Sequence, residues 1–490
     1  MADTGNDRPN VLVILSDQHS KHMLGAYGSS VVRTPNLDAL AARGMRFESC
    51  YCPSPLCVPS RMSFMTGRTP SRNRCWSNHH TLSSAIPTWA HAMGVAGYET
   101  ALVGRMHFIG PDQRHGFEKR PIGESFAGYL GAPRLGGPLF GAIPGSTSGQ
   151  IREGVEISGY GTTTYQALDD LVTDTACEYL AEKANGSGSR PFAAVVGYVL
   201  PHCPFFCPKD LFDYYYERVD VPEHEADVPA AVRKFRRLRG IEEPLSAERV
   251  RIARAAYFGL CEYMDRNIGR VLDALSASGL TENTLVVYAS DHGESAGEHG
   301  CWWKANYYES SVGVPLIAAL PGLVREGSES PRVCNLMDLG PTFLDLAHGP
   351  AMPDIDGRSL VPLFQGGEAV EWCDETVSEH VGGWYDDPSR MVRSGPWKLY
   401  RYHDQTPPVL YNLDDDPGEM HDLAGDPAFS SVRDRLLARL NGGWEPERVL
   451  EECRQLGRDA ELLSRWGAAV KPRHPDALEI PFDVEDVTVV

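Results

Sequence analysis

The sequence predicts a doubly wound α/β domain, a mixed sheet flanked by helices, followed by a smaller C-terminal α+β domain. Three observations predict it. Short apolar runs recur as NVLVILSD (Asn10–Asp17), PFAAVVGYVLP (Pro191–Pro201) and TLVVYASD (Thr284–Asp291), each rich in Val or Ile and ending at Asp17, at Pro201 and His202, and at Asp291 and His292; such continuous runs fit strands buried on both faces of a mainly parallel sheet. Helical segments alternate with them, the βα repeat of doubly wound folds. From about Thr376 the runs shorten to SRMVRSGPWKLYRYH and PVLYNLDDDPGE before the helical SVRDRLLARLNGG, so the domains are drawn at 1–375 and 376–490.

In order along the chain, Asn10–Asp17 is the first strand, and TPNLDALAARGMRF is a helix with Thr34 as cap, Pro35 in its first turn and Gly44 at its end. Pro59 and Ser60 start a second helix, SRMSFMTG, closed by Thr66 and Gly67, which leaves Cys57 just before its positive end. IPTWAHAMGVAGYETALVGRMHF is helix then strand, DLVTDTACEYLAEKA a helix, and ARAAYFGLCEYMDRNIGRVLDALSASGL a long helix. The Gly- and Pro-rich stretch Gly128–Gly149 is a long loop. From Glu445 a charged helix leads into a tail, IPFDVEDVTVV, whose apolar end is suited to packing on a neighbouring subunit.

With 490 residues, 42% of them hydrophobic and 23% charged, the chain buries large cores. Lys and Arg number 46 against 66 Asp and Glu, a formal charge of −20, which argues against nucleic acid or an anionic membrane as partner. The apolar run Val11–Leu15 is too short for a signal-peptide core or a membrane span, so a cytoplasmic protein is expected. Twelve cysteines without paired spacing are expected to be core thiols.

The polar residues of interest fall at strand ends. Asp17 and Gln18 end the first strand, and Asp291 and His292 a late one; two carboxylates, an amide oxygen and an imidazole suit calcium, magnesium or manganese. Taken singly, Asp17 reads equally as a helix cap and His292 as a hydrogen-bonded strand-end histidine. Cys57 reads as a core thiol, or as a thiolate beside a helix N-terminus with Arg61 one turn in, where an anion is expected.

CVPSRMSFMTG resembles the C-x-P-S-R signature, followed by Thr-Gly, of the type I sulfatases in the alkaline phosphatase superfamily. NVLVILSDQ, TPNLDALAARGMRF, GRMHF, PHCPF and SDHGESAGEHGCWWK resemble further elements of that family in the same order, and GRMHFIGPDQRHGFE is similar to its choline-sulfatase and bacterial arylsulfatase branch. The resemblance implies an alkaline phosphatase-like fold and a sulfate-ester hydrolase in which Cys57 becomes Cα-formylglycine through a formylglycine-generating enzyme. It implies one divalent metal, calcium or manganese first and magnesium next, on Asp17, Gln18, residue 57, Asp291 and His292. Arg61 holds the hydrated aldehyde, and Arg105, His107, His202 and Lys304 line the sulfate pocket, with His202 as acid and His107 as base. Asn78 is in reach of that pocket, its other reading being a loop-turn asparagine.

Gln18 and His292 stand where many sulfatases carry aspartate and asparagine, and Arg105 where lysine is usual. The neighbouring possibility is a phosphonate monoester or phosphodiester hydrolase of the same superfamily; Arg105 and His107 favour sulfate. Trp302, Trp303, Tyr307, Tyr308, Trp384 and Tyr385 suit either a cation–π cage or core packing. The substrate is expected to be a small anionic sulfate ester and the assembly a dimer or tetramer.

Overall fold

The computed structural model describes residues 8–124, 128–132, 150–186, 190–223, 228–366, 371–382, 385–404, 406–478 and 486–490. Its centre is strand β1 (Asn10–Asp17), buried at every residue. Parallel neighbours flank it on both sides: β7 (Phe192–Pro201) and β9 (Thr284–Ser290), with Val13 opposite Val195 in one and Val287 in the other. An unbroken apolar run is what a strand covered on both faces requires.

Among the described residues the sheet has eight strands in the order β11-β2-β10-β9-β1-β7-β4-β5. Here β4 is Glu99–Gly104, β5 Lys119–Ile122, β10 Leu316–Ala319, β2 Met45–Phe47 and β11 Ser328–Ser330. β5, β4, β7, β1 and β9 are parallel, whereas β10 runs antiparallel to β9 and β2. The mixed, helix-flanked α/β sheet expected from the sequence is therefore observed. Because the five parallel strands end on one edge, the loops after β1, β4, β7 and β9 meet there, where open α/β sheets bind ligands.

The helix Pro35–Ala42 forms where expected, but Thr34 does not cap it. The Thr34 hydroxyl accepts from the Gly25 N–H at 2.9 Å and donates to Asp38 at 3.1 Å. The exposed N–H groups of Asn36 and Leu37 are taken instead by the carboxylate of Asp265, at 3.1 and 2.9 Å, from the long helix Ala247–Ala277.

A second, antiparallel sheet runs β13 (Glu375–Gly382), β14 (Tyr385–Ser394), β15 (Trp397–Tyr402) and β16 (Val409–Asn412). Alternation splits its faces. Val392, Leu399 and Leu410 pack with Leu436 and Leu440 of the helix Ser430–Asn441, while Met391, Tyr400 and Tyr411 turn into the main core.

The charged helix Pro446–Val470 follows. At the chain's end, β17 (Asp486–Val489) pairs antiparallel with β6 (Gly159–Thr162), and β6 lies beside β8 (Phe206–Cys207) of the same chain. Gly161, at φ 135°, permits this approach, since a Cβ there would meet the Asp486 carbonyl at 2.1 Å. The backbone of the tail is thus paired within the chain, while the side chains of Val489 and Val490 stay exposed. Residues 133–149 of the Gly- and Pro-rich stretch, Trp384, and the Tyr385 side chain lie outside the described parts. No described helix is long and apolar enough to cross a membrane.

Candidate active site

The helix Cys57–Thr66 is buried along its whole length and ends at Gly67 with φ 66°. It starts three residues earlier than Ser60, so Cys57 is its first residue rather than a residue before it. Pro59 is no obstacle, because a first-turn residue donates no bond inside its helix. The N–H of Val58 is taken by the side-chain oxygen of Asn78 at 3.0 Å, so Asn78 braces the start of the helix that carries Cys57.

Arg61, one turn on, is fully buried between the ends of β1 and β9. Its Nε donates to Asp291 Oδ2 at 2.7 Å and its Nη2 to Asp17 Oδ2 at 3.1 Å. Arg105, just past β4, donates Nε to the same Asp17 oxygen at 2.7 Å. Its backbone leaves β4 close to β7: the Arg105 N–H donates to the Gly197 carbonyl at 2.8 Å. A Cβ on Gly197 would meet the Arg105 carbonyl at 1.8 Å, so only glycine fits.

The arginines thereby occupy the Oδ2 atoms; Asp17 Oδ1 is left on the other side, while Asp291 Oδ1 accepts the backbone N–H of Gln18 at 3.1 Å and of His292 at 2.9 Å. Asp17 Oδ1 lies 3.7 Å from His292 Nε2 and 3.7 Å from Cys57 Sγ, and Sγ lies 3.2 Å from Nε2. One ligand atom from each of Asp17, Cys57, Asp291 and His292 falls within 4.8 Å of the others, all buried. His292 Nδ1 is 3.0 Å from the Gly293 carbonyl, which fixes the proton on Nδ1 and turns the Nε2 lone pair into the cluster. Burial pushes the His292 pKa down, keeping the ring neutral. Burial alone would raise Asp17, but Arg105 and then Arg61 hold it well below the usual carboxylate range. Two carboxylates, a neutral imidazole and residue 57 facing one another are a donor set that fits a hard divalent cation.

Gln18 lies beside this set. Its backbone is left-handed, φ 69°; its Nε2 donates to Glu294 at 2.5 Å and its Oε1 accepts from Lys304 Nζ at 2.5 Å. Lys304 is buried, and its charge is felt at Asp17 and His292. His107, also left-handed at φ 59°, has Nδ1 2.9 Å from Arg105 Nη2. Burial and the charge of Arg105 push its pKa well down. His202 follows β7; its Nδ1 is 2.6 Å from the Cys203 carbonyl and its ring meets Tyr165 edge-on.

Sequence reasoning missed two buried carboxylates that hold these groups. Glu124 Oε1 accepts from the N–H of Met106 at 2.9 Å and of His107 at 2.5 Å, and its Oε2 is 3.5 Å from Arg105 Nη1. Glu294 holds Gln18 and the loop before Lys304. Neither sits in a motif of its own; Glu294 lies within SDHGESAG, two residues past His292, and that proximity was the available signal. Of the aromatic candidates, Trp302, Trp303, Tyr307 and Tyr308 are all core residues. Tyr307 hydrogen-bonds Ser389 at 3.0 Å and Tyr308 stacks on His299 at 3.7 Å. A cavity of about 230 Å³ opens beside Trp302, lined by Val221, Ile241, Leu245, Val250 and Arg236.

Fold and site together define an alkaline phosphatase-like hydrolase. The description Sulfatase matches residues 9–349, and N-sulphoglucosamine sulphohydrolase, C-terminal, matches residues 297–444. The chain is 34% identical to the choline-sulfatase of Rhizobium meliloti (strain 1021), covering 86% of this chain and 83% of that one. It is 27% identical to arylsulfatase K of Canis lupus familiaris, over 85% and 79% of the two chains. Among solved structures, the phosphonate monoester hydrolase of Agrobacterium radiobacter superposes with a TM-score of 0.71 at 23% identity, over 89% and 95%. A 2-O GAG sulfatase does so at 0.70 and 24%, over 91% and 94%. The chain belongs to the sulfatase family and is a sulfuric ester hydrolase.

Proposed function

We propose that the protein hydrolyses monoesters of sulfate with aryl or small alkyl alcohols, with residue 57 acting as formylglycine and one divalent metal held by Asp17, Gln18, residue 57, Asp291 and His292. The observation that carries this reading is the position of Cys57. It is buried at the start of a helix, with Sγ 3.2 Å from His292 Nε2 and 3.7 Å from Asp17 Oδ1. An oxygen at that position completes a hard-cation site, whereas a free thiolate would face carboxylate and imidazole lone pairs.

A bound metal would supply the positive charge that lowers the pKa of a hydroxyl beside it. Formylglycine would supply a hydrated aldehyde, whose second hydroxyl permits release of sulfate by elimination. Arg61, fixed between the two aspartates, holds residue 57's neighbourhood electropositive. Arg105 and Lys304 face the sulfuryl oxygens and stabilise the charge that builds on them. His107, kept neutral by burial and by Arg105, takes a proton as base. His202, oriented by the contact of its Nδ1 with the Cys203 carbonyl, is the acid for the leaving alcohol. Calcium and manganese suit the site first and magnesium next.

The further expectations stand on weaker supports. A formylglycine-generating enzyme is the required partner, and a dimer or tetramer the expected assembly. Twelve reduced cysteines support a cytoplasmic location. The division at about residue 375 is supported by the start of β13.

Assays of the metal-loaded protein on choline sulfate, an aryl sulfate and a phosphonate monoester test the reading. Sulfate esters are expected to be turned over fastest. Faster turnover of the phosphonate, or of a phosphodiester, would overturn it in favour of the related phosphonate and phosphodiester hydrolases.

A further inference from the structure

Strand β7 breaks its register where it reaches the site. Leu15 of β1 lies opposite Gly197 and Asp17 opposite Pro201, so Ser16 alone faces Tyr198, Val199 and Leu200. Such a bulge bends the strand and re-aims the side chains that follow it. The pairing with β4 ends at Gly197 as well. Buried N–H groups still need acceptors, and the carboxyl of Asp169 supplies them: Oδ1 accepts from the Val199 N–H at 3.0 Å and Oδ2 from the Leu200 N–H at 2.8 Å. The Val199 carbonyl in turn accepts the N–H of His202 at 3.1 Å. Asp169 is fully buried on the helix Thr164–Ala184. Tyr165, one turn before it on the same face, is the ring that meets His202 edge-on, with 6.0 Å between centroids.

We propose that Asp169 is a positioning residue for His202: its two oxygens hold the bulge of β7 in the shape that sets His202 against the leaving alcohol. A carboxyl offers one oxygen to each of the two N–H groups. An asparagine of the same shape offers one oxygen only and turns its NH2 group on the other N–H. The bonds of the Asp169 side chain run to the backbone of β7, so its effect on the chemistry passes through the residue that the bulge delivers. One helix thus controls His202 twice, its ring through Tyr165 and its backbone through Asp169.

The inference rests on the reading of His202 as the acid, and the experiment separates the two. Phenyl sulfate needs a proton on the departing oxygen, whereas para-nitrophenolate departs well without one. Asp169→Asn is expected to lower kcat on phenyl sulfate by at least about tenfold and to keep kcat on para-nitrophenyl sulfate within about threefold. It is also expected to speed hydrogen exchange of the backbone over residues 198–203 by at least about tenfold. Because Asp169 acts through His202, adding Asp169→Asn to His202→Ala is expected to cost less than about twofold more, where a general weakening of the fold would multiply the two losses. Asp169→Glu, which carries both oxygens one carbon further out, is expected to give the same selective loss and replaces Asp169→Asn if that variant does not fold. Equal losses on the two esters beside a selective His202→Ala, losses that multiply with those of His202→Ala, or unchanged exchange over residues 198–203 overturns the proposal. A wild-type protein inactive on both esters would refute the sulfatase reading, and a His202→Ala variant that loses both equally would refute the acid; in either case the exchange measurement decides whether Asp169 holds the bulge.

Discussion

The molecule buries two groups of opposite charges and completes them differently. Where the second sheet meets the first, Lys398 Nζ lies 3.0 Å from Glu309 Oε1 and also pairs with Glu419, Lys21 Nζ lies 2.8 Å from Glu309 Oε2, and Glu419 Oε2 accepts the Glu309 N–H at 2.6 Å. Two cations and two anions are used up among themselves. At the ends of β1 and β9, Arg61 and Arg105 satisfy only one oxygen of Asp17, and Asp17 Oδ1, His292 Nε2 and Cys57 Sγ are left facing one another. Both groups are largely buried, Lys21 being the most exposed member at 12% of its side chain, so burial alone does not mark the functional one. What marks the functional one is a surplus of acceptors aimed at a single point, an arrangement that costs stability unless a cation fills it.

If that distinction is right, changes in the first group should alter stability and changes in the second should alter turnover. The largest effect is expected from Cys57→Ala, which should lower turnover by at least about 10⁴-fold with the circular dichroism spectrum unchanged; substantial remaining activity would erase the special status of the site. Next, removing the metal with a chelator should abolish turnover and lower the melting temperature, and adding calcium or manganese should restore both. Lys398→Met strands Glu309 and Glu419 without their shared cation and should cost about 3–5 kcal/mol by denaturant unfolding, while the folded protein keeps its kcat within about threefold.

Acidification separates the groups more finely. Burial would raise the Glu309 pKa, but Lys21 and Lys398 hold it well below the usual range. A folded value below the unfolded one contributes stability that is present above about pH 4 and is lost as the pH falls through the folded value. Glu309→Gln should therefore be less stable at pH 7 and show a shallower acid loss than wild type in pH-dependent unfolding. The smallest effect is expected from Asn78→Ala, which removes the acceptor for the Val58 N–H and should cost about 1 kcal/mol, read as a fall in melting temperature.

The same contrast explains what could be read from the sequence. β1 and β9 were legible because a doubly buried strand must be apolar throughout, and Asp17, Asp291 and His292 because each directly follows such a run. Cys57, Arg61, Arg105, His107, His202 and Lys304 lie in short motifs that carry their own spacing. The junction group was not legible: Lys21, Glu309, Lys398 and Glu419 come from four distant segments and meet only through tertiary packing. Asp265 capping the helix Pro35–Ala42 is another case, since its partner lies 229 positions away. β17 was missed because its exposed alternation gives no sign of which edge it joins, and the Gly159 and Gly161 edge that receives it lies over 300 residues earlier. Glu294 fell between these cases, local to His292 in sequence yet bonded to Gln18 at the far end of β1.

The central claim is that residue 57 works as formylglycine, and mass spectrometry of the peptide Phe47–Arg61 from active, metal-loaded protein tests it most directly. The account predicts an aldehyde in place of the Cys57 thiol, at a level that tracks specific activity across preparations. Unmodified Cys57 throughout a fully active preparation would contradict it.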